Sequence, residues 1–334
     1  MSSVAFVTGG TGFVGSHLVE ELLRRDFDEV RCLVRSDPKW LSDLDVEYVR
    51  GDLSDVEALW TALDDVTHVY HVAGITRAPD WPPFHEINVQ GTLNLLGAVK
   101  QAAPSVERVL ITSSLAAVGR CEAPVATEDA PLRPVSRYGK SKAQMEEALR
   151  NAHEMTESYW SSLPITVVRP SAVYGPRDRD ILDFFQAVKR HVCPVVGGGT
   201  DPTLSLVHAR DLARGIVEAS RSAAAEGETY LLGSERPYAW NEVKQVATDA
   251  LDTWAVTVPV PGLLVGTVGA AAEAWGTLSG TYPPLNRDKA REIRHACTAC
   301  AIDKAQQHFD YTPQISLEAG VADTIAWYED KGWL

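Results

Sequence analysis

Short β-branched and aliphatic runs alternate with amphipathic stretches through the first half of the chain. Val4–Val7, Val30–Val34, Val46–Val49, Val69–Val72, Val109–Thr112 and Ile165–Val168 read as buried strands, because a strand covered on both faces shows no polar alternation. Between them lie Phe13–Arg25, with Val14, Leu18 and Leu22 four apart, then Leu53–Leu63, Asn88–Ala102 and Lys140–Asn151, all read as helices. Strand–helix repetition at this spacing predicts an α/β doubly wound parallel sheet with helices on both faces. After Arg169-Pro170 the regularity fades. Pro194, Gly197-Gly198-Gly199 and Pro202 mark a loop-rich excursion, Asp211–Ala219 resumes a helix, and Thr229–Leu232 adds one more strand. The pattern predicts a sheet lobe, residues 1–174 and 205–234, interleaved with a smaller mixed lobe, residues 175–204 and 235–334.

Composition narrows the classes of function. A chain of 334 residues suits two lobes, and 45% apolar with 23% charged residues is a globular balance. Thirty-one Lys+Arg against 45 Asp+Glu leave a formal charge of −14, which repels phosphate backbones and argues against nucleic-acid partners. Met1–Val7 has no basic n-region, so no signal peptide is expected there. Five cysteines form no dense framework, and Cys297-Thr-Ala-Cys300 lacks the second pair or spaced histidines of a zinc site. No metal and a cytoplasmic location are the expectation. Thr253–Ala272 is uncharged and long enough for a membrane span, but its prolines and glycines predict a short strand through Val258 and a helix from Pro261 instead.

Two constellations carry chemistry. Val7-Thr8-Gly9-Gly10-Thr11-Gly12-Phe13-Val14-Gly15 follows a strand and opens a helix, the context in which glycines bring backbone against a pyrophosphate. The amides of the helix start, at Phe13 and Val14, then face the anion. The glycines fit two spacings, Gly10/Gly12/Gly15 or Gly9/Gly12/Gly15. Arg35 stands twenty residues after Gly15, where an NAD site carries a carboxylate. A guanidinium there favours the 2′-phosphate of NADP, with NAD the alternative. Ser114, Tyr138 and Lys142 form the second set. Tyr138 and Lys142 share a helical face, so the ammonium is expected to lower the phenol pKa while Ser114 orients a substrate oxygen.

With these motifs in hand, the chain resembles the extended short-chain dehydrogenases/reductases of the NAD-dependent epimerase/dehydratase group, whose sheet lobe is a Rossmann-type nucleotide-binding domain. The resemblance runs through Thr8–Gly15, Gly51-Asp52-Leu53, His71-Val-Ala-Gly74, Asn88–Leu95, Tyr138–Lys142, Val168–Pro176 and Leu206–Ala213. It implies that Asp52 and Leu53 contact adenine, Ala73 and Gly74 the cofactor ribose, and Lys142 the nicotinamide ribose. It further implies that Pro170 borders the nicotinamide and that Asn88 supports the proton relay; from its place at a helix start alone, Asn88 reads equally as an N-cap. A homodimer through Gly91–Ala102 and Lys140–Asn151 is implied too.

Departures narrow the branch. Sugar-nucleotide dehydratases carry Thr-Asp-Glu where this chain has Ser114-Leu115-Ala116, and the arginine that sugar-nucleotide epimerases place before Val207-His208 is absent. His208 reads as a hydrogen-bonded residue at a strand end. The tail from Leu285 to Tyr328 is most similar to the dihydroflavonol-reductase and 3β-hydroxysteroid-dehydrogenase-like branch. The expectation is an oxidoreductase interconverting a secondary alcohol and a ketone. Its rivals are a sugar-nucleotide epimerase, for which Arg287 and Lys289 could serve a diphosphate, and a non-catalytic NADP sensor. Leu263, Leu264, Val265, Val268 and Trp275 are expected to roof an apolar pocket.

Overall fold

The computed structural model describes residues 3–151, 157–196, 202–260 and 287–334. Strands β1 (Val4–Thr8), β2 (Glu29–Val34), β3 (Glu47–Arg50), β4 (His68–His71), β5 (Arg108–Thr112) and β6 (Ile165–Pro170) follow the predicted runs within two residues at either end. Beyond them come β7 (Ala172–Tyr174), β8 (Val192–Val196), β9 (Thr203–Leu204), β10 (Leu206–His208), β11 (Glu228–Leu232), β12 (Tyr238–Ala239) and β13 (Val256–Val260). The central sheet has seven parallel strands in the order β11-β6-β5-β4-β1-β2-β3. This is a Rossmann-type α/β fold.

Strand position explains strand composition. β1, β5 and β6 are buried at every residue, whereas the edge strand β3 is exposed or half-buried throughout. Successive side chains of β1 enter opposite cores. Ala5 and Val7 join Leu18, Leu22, Leu212 and Ile216 from helices Phe13–Leu23 and Ala209–Arg221. Val4 and Phe6 join Leu59, Leu95, Val99 and Met145 from helices Val56–Ala62, Gly91–Ala102 and Arg137–Arg150. Ile302, Ala305 and Tyr311, from late in the chain, pack in the first of these cores. A separate cluster joins Phe185, Val243, Leu317, Val321 and Tyr328 across helices Leu182–Lys189, Trp240–Ala250 and Leu317–Asp330.

Two predicted elements differ. The helix expected from Asn88 begins earlier, at Pro82, and passes through a π-turn over His85–Gln90 before Gly91–Ala102. Asn88 is therefore an interior residue and not an N-cap; Pro82 and Pro83 suit a helix start because a first turn needs no amide donors. The helix expected over Leu53–Leu63 is shorter, since Asp55 caps it by accepting from Ala58 N at 3.1 Å. Val256–Val260 realises the predicted strand through Val258, while the helix expected from Pro261 and the apolar roof Leu263–Trp275 lie outside the described residues. Among the described residues no helix is long and apolar enough to cross a membrane.

Candidate active site

The sheet order reverses between β1 and β4, and the crevice beyond the strand ends at such a point is where doubly wound folds take ligands. The loops leaving β1 and β4 touch there. Gly9 has φ +78°, and a Cβ on it would lie 2.5 Å from Ala73 N. A Cβ on Gly15 would lie 2.1 Å from Gly9 O, and one on Gly12 3.2 Å from the same oxygen. Gly10 is different, with ordinary φ and nearest neighbours at 3.3 Å or beyond, all side-chain atoms. Geometry thus selects Gly9, Gly12 and Gly15 over the spacing that begins at Gly10. Gly12 caps the Phe13–Leu23 helix without a side-chain hydrogen bond to its first amides, and no acid stands in its first turn. Glycine contacts this tight and a helix start without a side-chain cap fit the pyrophosphate of a dinucleotide.

Beyond the end of β2, Arg35 is exposed, with no carboxylate in ion-pair contact among the described residues. Arg50, paired with Val34 across β2 and β3, donates to Ser36 O. Asp52 is exposed, and the amide and hydroxyl of Ser54 hold its carboxyl below the usual range, with Arg35 contributing. Leu53 is half-buried and accepts at its carbonyl from Asn94 Nδ2 at 2.9 Å.

At the other end, Ser114 leaves β5 as the N-cap of a short helix, Leu115–Val118, its Oγ accepting from Ala116 N at 3.1 Å. The Ser114 hydroxyl favours the ionised form of the Tyr138 phenol. Tyr138 sits in the first turn of the Arg137–Arg150 helix, which Ser136 caps by accepting from Gly139 N at 3.0 Å. Burial pushes the Tyr138 phenol up to about 12, against the influence of Ser114, and the carboxylates Glu292 and Asp180 push the same way as burial. The expectation that Lys142 lowers this pKa is therefore not met. Lys142 Nζ instead donates to Thr112 O at 2.8 Å. Lys142 is buried, which pulls its ammonium down to about 8, with the Glu146 carboxylate opposing.

Lys142 and Asn88 meet at Gly74. A Cβ on Gly74 would lie 3.0 Å from Asn88 Oδ1 and 3.4 Å from Lys142 Nζ. Asn88 is fully buried; its Oδ1 accepts from Ile75 N at 2.8 Å, and its Nδ2 donates to Ile75 O and Ser141 Oγ at 2.9 Å each. Pro170 ends β6, buried, opposite Leu232. His208 ends β10 and caps the following helix, its Nδ1 accepting from Arg210 N at 3.3 Å, the hydrogen-bonded strand-end residue the sequence predicts.

Several residues of this site carried no sequence expectation. Thr8 Oγ1 and His71 Nδ1 share a hydrogen bond of 2.7 Å, and Thr92 Oγ1 meets His71 Nε2 at 2.8 Å; burial, aided by the Lys142 charge, pulls His71 down to about 3, so the ring is neutral. Glu292 accepts from Ser136 Oγ, Asp180 pairs with Arg77, and Lys289 pairs with Glu292 at 3.3 Å. The side chain of Arg287 lies outside the described residues. Position four after Lys142 was the signal available for Glu146; Asp180 and Glu292 arrive from distant segments and left none.

Known proteins resemble this chain in sequence and fold. The profile of the NAD dependent epimerase/dehydratase family matches residues 5–233. A protein named ceramide reductase from Caulobacter vibrioides is 32% identical over 337 residues, covering 99% of this chain and 96% of that protein. A 2-alkyl-3-oxoalkanoate reductase from Stenotrophomonas maltophilia is 27% identical, covering 94% and 96%. The crystal structure of a dTDP-glucose 4,6-dehydratase from Streptomyces venezuelae with bound NAD superposes with a TM-score of 0.77 at 27% identity, covering 99% of this chain and 98% of that one.

Proposed function

The chain belongs to the NAD-dependent epimerase/dehydratase family, and from that premise we propose that it interconverts a ketone and a secondary alcohol on a largely apolar substrate with NADP as cofactor. At the coarser level it is an NAD(P)-dependent enzyme of the oxidoreductase and epimerase type. A bound nicotinamide supplies the hydride donor or acceptor. Gly9, Gly12 and Gly15 with the amides of Phe13 and Val14 hold the pyrophosphate, Arg35 the 2′-phosphate, and Asp52 and Leu53 the adenine. Ala73, Gly74 and Lys142 hold ribose hydroxyls, and Pro170 walls the nicotinamide. Tyr138 delivers or takes the proton at its hydroxyl, and Ser114 aligns the substrate oxygen. Asn88 fixes the Ile75 backbone beside Gly74 and supports the proton path through Lys142.

One observation carries the choice of substrate: the charges nearby that act on the Tyr138 phenol are the carboxylates Glu292 and Asp180, both of which push it up. A sugar-nucleotide diphosphate needs cations at that mouth, and Arg77 and Lys289 are already paired with those same acids. Two of the reductases among the relatives are named for ceramide and for a 2-alkyl-3-oxoalkanoate, and a third is named a putative dihydroflavonol 4-reductase, none of them for a sugar nucleotide. The sugar-nucleotide reading keeps support from the likeness to the dTDP-glucose dehydratase. NADPH oxidation with a panel of aryl, alicyclic and long-chain ketones, run beside epimerisation of UDP-glucose, decides between them. Efficient epimerisation with no ketone reduction overturns the proposal. Tyr138→Phe should leave cofactor affinity nearly intact while turnover falls about 10²–10⁴-fold; a variant with unchanged kcat removes Tyr138 from the relay. The same reading carries a homodimer, to which exposed Val56 and Trp60 beside the Gly91–Ala102 helix lend support. Sedimentation equilibrium tests it.

A further inference from the structure

One buried carboxylate joins the helix of Tyr138 and Lys142 to the segments that carry Ser114 and Pro170. Glu146 lies one helical turn beyond Lys142, and its side chain is 0% exposed. Its Oε1 accepts from Ser113 Oγ at 2.6 Å and from Arg169 Nε at 2.9 Å. Its Oε2 accepts from Arg169 Nη2 at 2.7 Å and from Arg150 Nη1 at 3.4 Å. Ser113 immediately precedes Ser114, and Arg169 immediately precedes Pro170. Thr112, the neighbour of Ser113, is the residue whose carbonyl receives Lys142 Nζ. Consecutive residues at the end of β5 therefore grip consecutive turns of the helix. Burying a carboxylate costs several kcal/mol unless its lone pairs are filled, and this one is filled by a guanidinium fork and a hydroxyl.

We propose that Glu146 is a positioning residue for the relay, tying the segments of Ser114, Lys142 and Pro170 to one buried carboxylate so that the Lys142 ammonium stays beside Gly74. The inference rests on the reading of Ser114, Tyr138 and Lys142 given above. The charge of Glu146 acts as well as its hydrogen bonds. The titratable and charged groups of this cluster are Glu146, Arg150 and Tyr138 on the Lys142 helix, Arg169 on β6, and neutral His71 on β4. Glu146 is the group whose field opposes the effect of burial on Lys142. Glu146→Gln removes that field and leaves the Arg169 guanidinium without its counter-ion, so Lys142 gives up its proton at lower pH.

The test uses the full chain with E146Q and E146D, folding being checked by circular dichroism. NADPH affinity is titrated by fluorescence from neutral to alkaline pH, and kcat and KM for a reducible ketone are measured over the same range. E146Q should lower kcat about 10–100-fold with a smaller change in KM. It should also move the alkaline limbs of both profiles down by about one pH unit. E146D keeps the charge, so its limbs stay in place while the shortened reach lowers kcat. An E146Q protein that melts earlier but keeps its kcat and both limbs overturns the proposal, leaving Glu146 a structural ion-pair partner. Should E146Q not fold, an unchanged kcat in E146D overturns it, and a lowered kcat with limbs in place supports it. If the wild-type chain turns over no ketone, the proposed function fails on its own. The NADPH limb still reads Glu146, and an unmoved limb in E146Q then sinks the inference.

Discussion

The choice between two glycine spacings can be tested without knowing the substrate. Gly9→Ala must place an L side chain at φ +78°, which costs about 1–2 kcal/mol before any contact is counted. Its Cβ would then lie 2.5 Å from Ala73 N, about 1 Å inside ordinary contact, and the neighbour is backbone with no rotamer to escape into. Gly15→Ala meets Gly9 O at 2.1 Å, a closer collision with the same loop. Either change forces β1, its loop and the helix start apart by about 1 Å where the pyrophosphate is held. A misplacement of that size costs about 10²-fold, or roughly 2.7 kcal/mol of cofactor affinity. Gly10→Ala is the control, because the nearest atoms to its Cβ are Val19 Cγ2, Cys32 Sγ and Leu41 Cδ1 at 3.3–3.4 Å, all side-chain ends. NADPH titration by fluorescence, with thermal melts alongside, should show G9A and G15A weakened about 100-fold and G10A within about threefold of wild type. Equal losses in G10A and G15A, or wild-type affinity in G15A, would refute the assignment.

Arg35→Ala should weaken NADP by about 10-fold and leave NAD unchanged, the low end for a charge-assisted bond because Arg35 is exposed; isothermal titration with both cofactors checks it, and equal losses leave Arg35 a solvated side chain. Asp178 is buried, which raises its carboxyl from 3.8 to about 7, so the folded state holds a proton that the unfolded chain has released. The stability it contributes is present below pH 3.8 and lost as pH rises to about 7, on the order of 4 kcal/mol at most. Urea melts of Asp178→Asn should therefore lack that falling component relative to wild type, and an identical pH slope in both proteins defeats the account.

The parallel sheet was legible because its strands are buried on both faces and so read as unbroken apolar runs, Val109–Thr112 being the clearest. Thr8–Gly15 was legible because the loop needs glycine for local reasons, though only the approach of Ala73 separates Gly9 from Gly10. The electrostatics of Tyr138 were not legible. Its spacing from Lys142 suggested a lowered pKa, but burial dominates, and Asp180 and Glu292 come from segments no local pattern connects to it. The Leu115–Val118 helix escaped notice because a single turn has no period to detect.

The π-turn over His85–Gln90 is also a matter of phase. An α-helix rotates about 100° per residue, so one residue held in a wider turn offsets everything before it against everything after it. Here the offset lets Leu95, Leu96 and Val99 keep their stripe on the sheet while Asn88 points both edges of its amide at Ile75 and Ser141. Deleting one residue from this turn would restore a regular helix and swing Asn88 about a quarter-turn out of reach of Ile75. The segment thus tolerates exchange of its exposed side chains more readily than a change in its length, and insertions or deletions there would fall on the site rather than on the core.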